Sequence, residues 1–307
     1  MTILCISGSR ADYGYLKPVA DALGVEVADF ASLTAGNDDP RSIAVRSLTF
    51  GSMVAERIAK AKPSMLVVVG DRWEILSACQ AAVLAGVPIA HIGAGEETRG
   101  SYDDRFRAAI EALADLHFCL TNKAFARRMG DGILAGCTSV HPPETIPPGN
   151  GSAILALYPE TRGADLSGLP VIILRLLESR GLNVVPIIPN PDVGAGGFNG
   201  RSMPLNDFQD FLLHANVIVG NSSAGIIEAP ILGTPSVNIG TRQDGRPQAS
   251  SIFQAWHDLA EIEAAIDAAL AFGKQRVESP YYRPNAVQII AEGIRNYLEE
   301  RNGNPSH

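Results

Sequence analysis

The chain has 307 residues, 46% of them hydrophobic and 19% charged, with a formal net charge of −8. That is enough apolar material for two domain cores, and the acidic balance with no basic tract argues against DNA or RNA binding through a broad positive face. No apolar stretch approaches the roughly 20 residues that span a bilayer, so neither nucleic acid nor a membrane is an expected partner.

The opening Met-Thr-Ile-Leu-Cys-Ile-Ser-Gly lacks a charged leader region and reads as a first β-strand at 2–7, not a signal peptide. Helices are predicted at 13–23, 52–62, 75–85 and 106–114, and strands at 64–69, 88–92 and 117–121. This alternation predicts a parallel, doubly wound sheet. Between 135 and 152 the composition changes, and Pro142-Pro-Glu-Thr-Ile-Pro-Pro-Gly-Asn-Gly151 reads as a linker. The rhythm then restarts, with strands at 153–157, 183–188, 217–219 and 236–239 and helices at 169–179, 207–214, 225–232 and 259–272. An amphipathic helix at 285–301 closes the chain. The prediction is an α/β protein of two Rossmann-like domains, 1–145 and 146–280, facing a cleft, with 281–307 packing back on the N-terminal domain. Ligands of open α/β sheets sit beyond the carboxyl ends of the strands, where every motif below falls. Cys5, Cys79, Cys119 and Cys137 are scattered and read as small buried thiols in a reducing cytoplasm. The six histidines form no ligand-spaced pair, so no metal is expected, and no cofactor either.

The most telling stretch is 220–246, from Gly220-Asn-Ser-Ser-Ala-Gly-Ile-Ile-Glu-Ala-Pro230 to Thr241-Arg-Gln-Asp-Gly-Arg246. Asn221, Ser222 and Ser223 are helix-capping types after a buried strand. Free backbone N–H groups, two hydroxyls and a helix dipole make an anion site, to which Arg242 and Arg246 add positive charge. A diphosphate is the natural guest, with Glu228 placed to accept hydrogen bonds from a ribose. The alternative is an ordinary capped helix on a sheet. In the N-terminal half, Gly8-Ser9-Arg10 follows the first strand, and Arg10 can offer paired donors to a phosphate or a base. Asp71, in Gly70-Asp71-Arg72, is either a catalytic acid or a helix cap. His91 closes an apolar strand as a core histidine or a functional one. Glu96 and Glu97 follow a Gly-Ala-Gly turn, and Asp103 and Asp104 open a helix, where acidic residues complement the dipole.

These segments together resemble the hydrolysing UDP-N-acetylglucosamine 2-epimerases, the branch that makes N-acetylmannosamine for sialic-acid-type sugars. The 220–246 run resembles their nucleotide-binding signature and Ser7-Gly-Ser-Arg-Ala-Asp-Tyr-Gly14 their opening loop. Val69-Gly-Asp-Arg-Trp-Glu74 is similar to their Gly-Asp-Arg motif. Ala90-His-Ile-Gly-Ala-Gly-Glu96, Asp103-Asp-Arg-Phe-Arg107 and Leu116-His-Phe118 are similar to their central segment. The resemblance implies a GT-B type architecture, a UDP-sugar substrate, a homodimer and a cytoplasmic location. It implies nucleotide-binding roles for Gly8, Arg10, Arg72, Asn221, Ser222, Ser223, Glu228 and Arg242, and catalytic roles for Asp71, His91 and Asp103.

The reaction it implies has two steps: anti elimination of UDP to a 2-acetamidoglucal, then addition of water to give the free 2-epimer. That chemistry needs an acid–base pair and anionic groups near an oxocarbenium-like centre. Here the chain departs from the family. The carboxylate usual two residues after the histidine is Gly93, an Arg-His pair becomes Arg107-Ala108, and a catalytic histidine becomes Tyr158. The usual Asn-Pro-Tyr-Gly stretch reads Ser279-Pro-Tyr-Tyr-Arg-Pro284, and the chain is short between 28 and 63 and around the linker. Losing one positioned acid or base commonly costs about 10²–10⁴ in rate, so Glu96, Glu97, Asp103 or Tyr158 would have to take over. Three readings follow: an epimerase releasing UDP with inversion at C2, an enzyme cleaving a nucleotide sugar without touching C2, and a non-catalytic nucleotide-sugar binding subunit.

Overall fold

A computed structural model describes residues 2–34, 39–99, 101–158, 166, 168–187, 203 and 205–303. Position 188 of the predicted strand and residues 159–161, after Tyr158, lie outside them. The chain divides into two compact units. Unit 1 comprises Met1–Glu96, Asp103–Ser139 and Arg283–His307, and unit 2 comprises Glu97–Tyr102 and Val140–Tyr282.

Unit 1 runs β1 (Ile3–Ser7), α1 (Arg10–Leu23), β2 (Val27–Asp29), α2 (Ala31–Thr34), α3 (Pro40–Ala61), β3 (Met65–Val69), α4 (Trp73–Leu84) and β4 (Ile89–Ile92). It continues with α5 (Asp103–Leu113), β5 (Leu116–Cys119), α6 (Asn122–Arg127) and β6 (Ile133–Leu134). Its strands form one parallel sheet in the order β2-β1-β3-β4-β5-β6. The central strand Met65-Leu-Val-Val-Val69 is buried on every residue, as expected of a strand covered by helices on both faces. Ile6, Leu66, Val68, Phe50, Val54 and Ile75 build the core on one face.

Unit 2 contains β7 (Ser152–Ala156), α7 (Leu169–Glu178), β8 (Asn183–Pro186), α8 (Leu205–His214), β9 (Val217–Gly220), α9 (Glu228–Ile231), β10 (Ser236–Ile239), β11 (Ile252–Ala255) and α10 (Leu259–Phe272). Its parallel sheet has the order β11-β10-β9-β7-β8. Leu155, Val217, Val219 and Ile239 pack with Ile173 of α7 and Ile262 and Ile266 of α10. The last helix, α11 (Ala286–Gly303), belongs to unit 1. It buries Ile290, Ile294 and Leu298, and Arg295 donates to the carbonyl of Ala22. Gly293 lets it approach β5, because a β-carbon there would lie 2.8 Å from the Phe118 ring.

The strand order reverses direction once in each unit, between β1 and β3 and between β7 and β9. A sheet opens a crevice at such a switch point, beyond the strand ends. Gly8–Arg10 and Gly70–Arg72 follow β1 and β3, while Tyr158 and the Asn221–Ser223 run follow β7 and β9.

Candidate functional site

The unit 1 switch point is built on two close approaches. Ser9 caps α1 by accepting from the Asp12 N–H at 3.1 Å. At Gly8 a β-carbon would lie 2.4 Å from Cγ of Glu74, so the loop rests on that side chain. Arg72 Nε donates to Glu74 Oε1 at 2.6 Å. Arg10 is the first residue of α1, at the same strand end.

Asp71 is drawn the other way. Arg107 is 3% exposed and donates to Asp71, to Asp104 and, at 2.9 Å, to the carbonyl of Glu96. Burial pulls the guanidinium pKa down, but Asp71, Asp104 and Glu96 outweigh it and leave it raised. The N-cap position of α4 is Arg72, not Asp71, without a side-chain cap bond, and the Asp71 carboxylate accepts from Arg107. Asp103 and Asp104 open α5, so their helix carries Asp104 and Arg107 on one face one turn apart. Glu96 is buried and accepts from Thr121 Oγ1 at 3.0 Å. His91 is fully buried in β4; its Nε2 donates to the Gly70 carbonyl at 2.7 Å, which makes it a support for the Gly70 turn. Burial lowers its pKa to about 4, so the ring is neutral at physiological pH.

In unit 2 the geometry is set by Gly220. Its φ is +142°, and a β-carbon would stand 2.1 Å from the Ala156 carbonyl oxygen, so only glycine fits. Asn221 is fully buried and clasps the end of β7: Oδ1 accepts from Tyr158 N–H at 2.7 Å and Nδ2 donates to the Tyr158 carbonyl at 2.9 Å. The side chain expected to meet the nucleotide is therefore committed to the backbone. The Asn221 carbonyl in turn accepts from Gln243 Nε2 at 2.8 Å and Arg242 Nη1 at 3.4 Å. The Arg242 guanidinium stands over the Tyr158 ring, 5.2 Å from its centroid, a cation–π contact. Tyr158, Asn221 and Arg242 are thus brought together.

One expectation for this run is corrected. The helix predicted at 225–232 is a 3-10 turn, Ser223–Gly225, followed by the one-turn α9. Pro230 lacks the N–H that a longer helix needs, and Ser222 caps only the turn, accepting from Ala224 N–H at 3.3 Å. A helix of one turn has little aligned dipole. The anion site expected here would have to rest on hydroxyls, backbone N–H groups and guanidinium charge. Nε and Nη1 of Arg246 are buried with no hydrogen-bond partner among the described residues, and Glu228 opens α9 in a buried position.

A family model described as UDP-N-acetylglucosamine 2-epimerase matches residues 1–135 and 200–295, well over half of the chain. The chain belongs to that family. It is 27% identical to a UDP-N-acetylglucosamine 2-epimerase of Neisseria meningitidis serogroup B, over 91% of this chain and 90% of that protein. A UDP-N,N'-diacetylbacillosamine 2-epimerase (hydrolyzing) of Legionella pneumophila is 24% identical, over 71% of this chain and 65% of that protein. The Methanocaldococcus jannaschii UDP-GlcNAc 2-epimerase, solved with UDP-GlcNAc and UDP, aligns with a TM-score of 0.75 at 16% identity, over 97% of this chain and all of that one. The Neisseria meningitidis enzyme bound to UDP-GlcNAc aligns at 0.74 and 17%, over 96% of this chain and 100% of that one. The fold is the GT-B type of these 2-epimerases, two parallel-sheet α/β domains.

The three positions read from the sequence as departures from the resemblance have these surroundings. Gly93 has φ +94° and donates to the Phe118 carbonyl at 2.8 Å, and a β-carbon there would meet nothing nearer than Gly70 N at 3.8 Å. Ala108 is exposed on α5, while its neighbour Arg107 keeps the acidic network. Tyr158 carries Arg242 on its ring. Sequence reasoning passed over Asp12, although it stands inside the quoted opening motif; it is 6% exposed, and burial is the signal no motif displays. It also did not foresee that Glu97–Tyr102 join unit 2, where Arg99 N–H donates to the Asp244 carbonyl at 2.9 Å. Among the described residues no group of His, Cys, Asp or Glu could hold a metal ion, and no helix is long and apolar enough to cross a membrane.

Proposed function

We propose that this chain binds a UDP-sugar of the N-acetylhexosamine type and releases UDP from it with inversion at C2, by elimination and hydration. The observation that carries the reading is the Asp71–Arg107–Asp104 network at the end of β3, in a chain of this family. Asp71 is the group we assign to proton transfer, with Asp103 and Glu96 as the further acids. Arg242, Ser222, Ser223 and Arg10 are assigned to the diphosphate and Glu228 to the ribose. The hydrolysing relatives support release of the free sugar. The assay is incubation with UDP-N-acetylglucosamine in heavy water. UDP release with deuterium at C2 supports the proposal; UDP release with hydrogen retained at C2 rules out epimerisation.

That second outcome is the competing reading, cleavage without epimerisation, and the sequence favours it: Gly93 and Tyr158 stand where the resemblance implies a carboxylate and a histidine. A non-catalytic role would show as UDP binding by calorimetry with no release. A homodimer in the cytoplasm goes with the family reading, and sedimentation of the purified protein tests the dimer.

A further inference from the structure

Asp12 has no part in the reading above. It lies on α1 one turn beyond Gly8, is 6% exposed, and its Oδ2 is buried with no hydrogen-bond partner among the described residues. A buried carboxyl oxygen without a donor is costly when charged, so the position is informative. The groups around it come from two sides. From its own turn, Ser9 stabilises the anion. From the β3–α4 connection come Arg72, which attracts, and Asp71 and Glu74, which repel. Burial first, then Glu74 and Asp71, push the Asp12 carboxyl up to about 7 against the pull of Arg72 and Ser9.

The backbone between these groups is Gly70. A β-carbon at Gly70 would lie 3.6 Å from Asp12 Oδ1, and one at Gly93 would lie 3.8 Å from Gly70 N. His91 Nε2 holds the Gly70 carbonyl. Asp12 and position 93 therefore flank the same residue, the one that precedes Asp71.

We propose that Asp12 is a positioning residue for the reaction assigned above: set behind Gly70, with a buried carboxyl oxygen that has no donor among the described residues, it acts through the Gly70 turn on the placement of Asp71. This rests on the proposed function for its kinetic consequence, and on the Asp12–Gly70–Gly93 geometry for its location. A protonated Asp12 adds no charge beside Asp71 and Glu74, and leaves the Asp71–Arg107 pair undisturbed. Ionised Asp12 adds a third carboxylate to the turn and displaces Asp71 from its productive place.

The test compares Asp12→Asn and Asp12→Ala in UDP release between pH 5.5 and 8.5. Asparagine keeps the neutral donor at every pH. We expect wild-type turnover to fall about tenfold per pH unit above the Asp12 pKa, and Asp12→Asn to stay within about threefold of the wild-type maximum with no such limb. Asp12→Ala should lose turnover at all pH values while its KM is unchanged. An alkaline limb that persists in Asp12→Asn, or Asp12→Ala turning over like wild type, overturns the proposal. If wild type releases no UDP, the proposed function fails by itself. Asp12 is then judged by carbon-13 NMR of its carboxyl in the unliganded protein: a midpoint below pH 5 overturns the inference, and one near neutrality with Asp71 responding to the same titration upholds it.

Discussion

A glutamate placed at position 93 asks what keeps the family carboxylate out of this chain. Space does not, since a β-carbon would find nothing nearer than Gly70 N at 3.8 Å. The backbone does, with φ at +94°. A side chain held in the left-handed region costs about 1–2 kcal/mol. Escape to negative φ would break the Gly93 N–H bond to Phe118 and strain that of Ala94, at 2.8 and 3.1 Å, a loss of about 0.5–1.5 kcal/mol each. Gly93→Ala should therefore lose about 1–2 kcal/mol, and Gly93→Glu about 1 kcal/mol more, because its carboxylate adds a negative charge beside the Asp71 turn. Gly95→Ala should exceed both, because its β-carbon would stand 2.3 Å from the Ala124 carbonyl oxygen, a collision of backbone with backbone. Urea unfolding followed by Trp73 fluorescence measures this in unit 1, since Trp73 is 4% exposed and Trp256, in unit 2, is 52% exposed. The reasoning is refuted if Gly93→Glu unfolds at the wild-type midpoint, or if Gly93→Ala is hit as hard as Gly95→Ala.

Arg242→Ala should weaken UDP binding by about 1.5–3 kcal/mol, the worth of a charged hydrogen bond, read by calorimetry; unchanged affinity would place Arg242 outside the nucleotide site. Asp71→Asn should cut UDP release by about 10²–10⁴ while UDP affinity holds, and intact turnover would leave Asp71 a purely structural partner of Arg107. The pH dependence of stability sets two buried groups against each other. His91, lowered from 6.5 to about 4, cannot take the proton the unfolded chain accepts, so stability falls as pH drops from 6.5 to 4. Asp12, raised from 3.8 to about 7, binds a proton only the folded chain wants, so it gains stability over the same descent. Each slope is about 1.4 kcal/mol per pH unit, and the two oppose each other in wild type. His91→Gln should therefore grow more stable as pH falls from 6.5 to 4, measured as rising urea midpoints; a flat profile in that variant would show that Asp12 titrates normally.

The fold was legible where burial is written into a run of residues. Met65–Val69 and Val217–Gly220 are apolar through and through and could be read as central parallel strands. Edge elements were not: Val27–Asp29, Ile133–Leu134 and Ile252–Ala255 are short or half polar, and their pairing is decided by the neighbouring strand. The first half of α3 escaped although Asp39 caps it and Pro40 starts it, a pairing of types that does mark a helix start. The candidate site was legible as motifs and opaque as contacts. Asp71 carried no sign that Arg107, thirty-six positions on, would claim it, and Asn221 looked like a nucleotide ligand until its amide met Tyr158. Long-range partners of this kind are set by strand order, which local spacing does not encode.

Tyrosine at 158 and arginine at 242 make sense as a pair. A histidine in that place can gain a proton near neutral pH, and a cation over its ring would then oppose protonation. A phenol stays neutral and offers Arg242 an electron-rich face at 5.2 Å. Against the histidine that the resemblance implies, tyrosine gives unit 2 no group that titrates near neutrality, and its ring carries a guanidinium whose Nη1 also donates to the Asn221 carbonyl. Under the proposed function, unit 2 then contributes grip on the diphosphate, and binding alone lowers a dissociation constant without speeding the chemistry. The proton work falls to unit 1, where Arg107 still gathers Asp71, Asp104 and the Glu96 carbonyl. A Tyr158→His variant should therefore loosen UDP, because imidazolium and guanidinium compete for one place, and the loss should deepen below pH 6.5 as the ring charges. Tighter binding by Tyr158→His at pH 5.5, measured by calorimetry, would mean that Arg242 does not stand over that ring when nucleotide is bound.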